Sequence, residues 1–142
     1  IAPNNALGDG VDGPDVPYLA SFPYVAAPYG GFERIHANAA SLQSGRFFIT
    51  VDWTAPNGGT GSGHPVGLAG NTEGFWFFTP DNIELTVKVL DGRTSNGHIW
   101  VFYGSLTNVA FTITVTDTTT GTQKVYTSDQ GTNGSFADTS AF

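Results

Sequence analysis

The sequence predicts an all-β protein: an antiparallel β-sandwich, immunoglobulin-like or jelly-roll-like, preceded by an extended N-terminal arm. Three observations carry that expectation. Aromatic residues make up 13% of the 142-residue chain and charged residues only 12%, about half the usual charged share. Gly (19) and Pro (8) punctuate it throughout, where a helical protein would be rich in Glu, Lys, Leu and Ala. From Arg46 onward, apolar and polar residues alternate with period two in several short runs, the spacing of a half-buried strand.

The chain divides near residue 40, into an arm over residues 1–40 and a sandwich domain over 41–142. Residues 1–45 hold five of the eight prolines, and proline fixes φ and lacks an N–H, which excludes a central strand. Three Pro-Tyr pairs recur, Pro17-Tyr18, Pro23-Tyr24 and Pro28-Tyr29. The arm therefore reads as extended or polyproline-like. Tyr18, Phe22, Tyr24, Tyr29 and Phe32 would be its apolar contacts, against its own domain or a neighbouring subunit.

Within the domain, "RFFITVDW" places Phe47, Ile49, Val51 and Trp53 on one face, opposite Phe48, Thr50 and Asp52. In "IELTVKVL", Ile83, Leu85, Val87 and Val89 are expected to face in, and Glu84, Thr86 and Lys88 out. In "VAFTITVTD", Val109, Phe111, Ile113 and Val115 oppose Ala110, Thr112, Thr114 and Thr116. These patterns suit antiparallel strands with one wet face. "FWFF" (75–78) and "HIWVFY" (98–103) are apolar on both faces, so they should be central or covered. "TPDN" (79–82) and "DTTTGT" (117–122) read as turns, with "QKVYTS" (123–128) pairing back onto the preceding strand. Six or seven short strands at this spacing indicate a sandwich. No segment has convincing amphipathic helix character. The 21-residue Gly-rich stretch 54–74 reads as a long loop, a kind usually functional or mobile.

The net charge of −7 comes from 12 acidic and 5 basic residues, and the basic ones are scattered. Phosphate backbones need clustered Lys and Arg, so nucleic acid is not an expected partner, nor is an anionic membrane surface. No apolar run approaches the roughly 18 residues of a membrane-spanning helix. Cysteine is absent, which excludes disulfides and thiolate chemistry. The opening "IAPNN" without Met suggests a removed leader, as in exported proteins. The expected location is extracellular, at a bacterial surface, since eukaryotic secreted domains of this size more often carry disulfides.

Candidate chemistry is sparse. Asp91, Arg93 and His98 fall within eight residues, but Asp91-Gly92 and Asn96-Gly97 are turn dipeptides, and no G-x-S-x-G elbow marks Ser95 or Ser105 as a nucleophile. The cluster reads as a hairpin. His36, His64 and His98 lack metal-ligand spacing. Asp9, Asp12 and Asp15 in "GDGVDGPD" form a weak calcium candidate, short of the bidentate Glu that EF-hand loops use; no other cofactor is expected. Asp52, Glu73 and Glu84 are glycosidase candidates in type only. Trp76, Trp100, Tyr103 and Tyr126 could form a carbohydrate platform, while Trp53, Trp76 and Trp100 could equally fill the core, which their apolar neighbours favour. Asn133-Gly134-Ser135 is a glycosylation sequon.

The runs "GRFFITVDW" and "GFWFFTPDNIELTVKVLDGRTSNGHIWVFYGSLTNVAFTITVTDTTTGTQKVY", with the ending "ADTSAF", resemble a module found at the C-terminal end of exported, largely uncharacterised bacterial proteins. The resemblance covers about residues 40–142. It implies an exported sandwich-like domain with a structural or adhesive role, and carries no catalytic residues. Members often have a cysteine before the Gly-Arg-Phe element, where this chain has "SLQSGRF". The expectation is a non-enzymatic subunit of an extracellular filament or surface assembly, associating with itself through the arm. The alternative is a secreted module that binds polysaccharide.

Overall fold

The computed structural model describes residues 38–142. The arm residues Tyr18, Phe22, Tyr24, Tyr29 and Phe32, and the calcium candidates Asp9, Asp12 and Asp15, lie outside the described residues. His36–Phe142 forms a compact unit of its own.

Two antiparallel sheets face each other. Sheet A contains β1 (Ala39–Leu42), β2 (Phe47–Thr54), β8 (Ala110–Asp117) and β9 (Gln123–Ser128) in that order, and β3 (Thr60–Ser62) adds to β2. Sheet B runs β10 (Ser135–Asp138), β7 (His98–Ser105), β6 (Leu85–Gly92), β5 (Thr72–Trp76), β4 (His64–Pro65). The fold is the expected all-β sandwich, and period-two patterning is what builds it. Ile49, Val51 and Trp53 pair with Val115, Ile113 and Phe111 across β2 and β8, so one apolar row of sheet A turns inward. Val87 and Val89 pair with Tyr103 and Val101 across β6 and β7, forming the opposing row. Phe47, Ile49, Val51, Leu85, Val87, Val89 and Ile113 lose all contact with solvent. Each such side chain contributes roughly 1.5–3 kcal/mol. Ala141 is buried as well, and Phe142 packs its ring 5.4 Å from that of Phe47.

Several elements depart from the sequence expectation. Stretch 54–74 is not one loop. Thr60–Ser62 pairs with β2, and His64–Pro65 crosses to sheet B to pair with β5. β5 runs from Thr72 only to Trp76, so Phe77 lies beyond its end, buried, and Phe78 is exposed. Ile83 and Glu84 are reversed, because β6 begins only at Leu85. Ile83 lies on the outer side close to Gly74, while Glu84 is buried and accepts the Phe77 N–H at 2.7 Å. One helical turn does form, α1 (Arg93–Asn96), at the tip of the β6–β7 hairpin.

The hairpin reading of Asp91, Arg93 and His98 agrees with the geometry. Arg93 donates to both Asp91 carboxylate oxygens at 2.8 and 2.6 Å. Gly97 closes the turn at φ +83°, a left-handed conformation that glycine adopts without steric cost. Residues 79–82 and 117–122 are turns as expected, closed by Asn82 N–H to Thr79 O and Asp117 N–H to Thr122 O.

Candidate functional site

The outward positions of sheet B bring together a set of residues that the alternation alone does not single out. β6 presents Thr86, Lys88 and Leu90, and β7 presents Trp100, Phe102 and Gly104, all in register. β5 adds Thr72 opposite Lys88 and Gly74 opposite Thr86. One row across the sheet, Gly74–Thr86–Gly104, therefore carries almost no side-chain bulk. The rows beside it carry Lys88, Phe102, Leu90 and Trp100. The difference in height opens a groove of about 360 Å³ lined by Thr72, Thr86, Lys88, Leu90, Phe102, Tyr103 and Gly104.

Trp100 fixes one end of this surface. Its indole lies so close over Gly92 that an added Cβ there would meet ring atoms at 2.1–2.6 Å. Its Nε1–H donates to Asn96 Oδ1 at 2.8 Å, and Asn96 in turn donates to Thr139 O at 2.7 Å. Phe102 meets the indole edge-to-face, with centroids 6.3 Å apart. At the other end, Val66, Leu68 and Ile83 crowd the position of Gly74, and Val66 and Leu68 are exposed. Lys88 is exposed and forms no ion pair among the described residues.

The platform expected from Trp76, Trp100, Tyr103 and Tyr126 does not form. Trp76 and Trp100 share the outer face of sheet B, but Trp76 lies on β5 beyond the Phe75–Leu85 pair, whereas Trp100 sits opposite Leu90. Tyr103 turns inward, and Tyr126 belongs to sheet A. The two tyrosines meet with Phe136 at one side of the sandwich, where Tyr126 donates to Asp138 at 2.9 Å. Burial, reinforced by the Asp138 carboxylate, pushes the Tyr126 hydroxyl well above its ordinary range. Nor do the three tryptophans fill the core. Trp53 packs against it, stacked with Phe77, but Trp76 instead stacks on His64 with centroids 3.9 Å apart.

The carboxylates are committed to structure. Glu73 accepts the N–H groups of Val66, Gly67 and Gly74, and Glu84 holds Phe77 and the Asn82 side chain. Both belong to the sheet B side, whereas Asp52 sits on the outer face of sheet A bonded to Ser62, so the three do not converge. Asp117 is 1% exposed, and Arg46 donates to both its oxygens, the nearer at 2.9 Å. That guanidinium holds the Asp117 carboxyl below the usual range. Among the described residues, no group of three or more His, Cys, Asp or Glu could hold a metal ion, and no helix is long and apolar enough to cross a membrane. The sequon at Asn133 is exposed.

Phe102, Leu90 and Lys88 were not recognisable as a site in the sequence. The one signal was that "HIWVFY" is apolar at both parities. That run cannot bury both rows against one core, and Trp100 and Phe102 are the row left outside.

The fold and this surface define a two-sheet antiparallel β-sandwich with an apolar groove on one outer face. The chain matches no protein-family model, no curated protein and no solved structure.

Proposed function

We propose that the chain is a structural subunit of an extracellular bacterial filament or surface assembly, self-associating through its N-terminal arm. The observation that carries this reading is the contrast between the two outer faces. Sheet A's outer face is mixed, with Phe48 and Val125 beside Thr112, Thr114 and Thr116, but its groove is lined mainly by polar residues, among them Asp52, Thr54, Thr112 and Thr127. Sheet B turns out Leu90, Trp100 and Phe102 around a groove. These three side chains are half-buried and Val66 and Leu68 stand exposed at one end; an apolar surface rimmed by polar residues is a usual mark of an interaction site.

The arm supplies the complementary chemistry, with five aromatics among its prolines. The resemblance to an exported bacterial module supports the location, as does the absence of cysteine. The buried carboxylates are bound up in turns and ion pairs, in keeping with a protein that acts by association. A second reading draws on the same groove. Phe102 beside the Thr72 and Thr86 hydroxyls suits a sugar ring, as a secreted carbohydrate-binding or adhesion module would require.

Sedimentation velocity and negative-stain microscopy of the full chain, with a polysaccharide pull-down alongside, separate the two. The structural reading expects fibres or sheets without added ligand. Monomers that bind polysaccharide would replace it with the second reading.

A further inference from the structure

We infer that the groove on sheet B is the receiving site for residues 14–18 of a second copy's arm, Pro14-Asp15-Val16-Pro17-Tyr18. This rests on the assembly reading above and names the surface through which it works.

The edges of the sheets are poor alternatives. β4 is two residues long and contains Pro65, and β1 and β10 have four residues each. β9 is the longest free edge, but Lys124 pairs with Val115 and so occupies an inward-facing position. Short edges, proline and inward charges are what keep edges from accepting another strand. The outer face of sheet B offers a groove instead.

A groove lined by Phe102 and Leu90 suits a polyproline II segment, which binds aromatic-lined grooves at small entropic cost because it is already extended. Such a helix has three residues per turn, so residues three apart project from the same side. Of the three Pro-Tyr pairs, Tyr18 alone has an acidic residue at that spacing, Asp15. The corresponding residues before Tyr24 and Tyr29 are Ser21 and Ala26. Tyr18 would lie over Gly104 against Phe102, while Asp15 on the same side meets the Lys88 ammonium. The 21 residue steps between Tyr18 and the start of β1 span at most about 70–75 Å when extended, ample to reach another copy. A head-to-tail contact of this kind propagates into a filament when its rotation does not close a ring.

The test is a charge exchange in the full-length chain, read by sedimentation velocity. K88E and D15K should each weaken association by at least about fivefold, and the K88E/D15K double variant should restore it. Y18A and F102A should dissociate the assembly, whereas Y24A and Y29A should not. Circular dichroism melts establish that F102A stays folded; K88E alters an exposed side chain and supplies the independent arm of the test. Wild-type association by K88E, D15K and Y18A, or failure of the double variant to recover, overturns the inference. If those variants assemble while a chain lacking residues 1–35 is monomeric, the arm docks elsewhere and the assembly reading stands. If the shortened chain still assembles, the assembly reading falls and takes this inference with it. A wild-type monomer that binds polysaccharide through Phe102 assigns the groove to sugar and also overturns it.

Discussion

Gly92 and Asp117 show how single residues hold this fold, and how differently the two are legible. Gly92 looks in the sequence like half of a turn dipeptide, yet its φ is ordinary and its role is to make room for the Trp100 indole. Gly92→Ala should therefore cost about 1–3 kcal/mol, the range for overpacking, measurable by urea denaturation. Asp117 reads as a turn residue too, which it is: it accepts the Thr119 N–H at 2.9 Å. The Arg46 bond that also holds it is invisible in sequence, since the partners are 71 positions apart. With its folded pKa depressed by Arg46, Asp117 adds stability above the ordinary carboxylate range and loses it as pH falls through the lowered value. Thermal melts should thus be insensitive to pH from about 8 to 5 and decline below about 4. Asp117→Asn should cost about 2 kcal/mol at neutral pH and flatten that acid decline. The Asp91–Arg93 pair has its carboxyl lowered to about 2 by the Arg93 hydrogen bonds, but both groups are exposed.

At the level of elements, long alternating runs were readable and short pairings were not. β2 and β8 follow their sequence patterns, because eight alternating residues leave one inward register, and β9 pairs back onto β8 as expected. β3 and β4 have three and two residues, too few for any periodicity, and they form because neighbouring strands offer unpaired edges. The Ile83–Glu84 reversal has a similar origin: alternation extrapolates past the point where pairing stops. One cross-sheet bond tests the packing of the short C-terminal strand. Tyr126 on β9 donates to Asp138 at the end of β10, so Tyr126→Phe should cost about 1 kcal/mol. The loss should appear as faster amide hydrogen exchange in Ser135–Asp138, with β2 and β8 unchanged. Equal acceleration in all three strands would show that the bond supports the whole fold and not this edge.

For the molecule as a whole, composition and alternation made the sandwich legible, but not which outer face would carry the apolar groove. That depends on register between β5, β6 and β7, which aligns Gly74, Thr86 and Gly104 in one row and so cuts the groove. Residues from three separated segments meet there, and a linear reading weighs them one at a time. The central claim is that the arm turns this domain into a polymer. Sedimentation velocity comparing the full chain with one lacking residues 1–35 tests it most directly. His36–Phe142 is a compact unit with its own core, so the shortened chain should fold. The full chain should form large assemblies and the shortened one a folded monomer. Assemblies of the same size from both, or monomers from both, would contradict it.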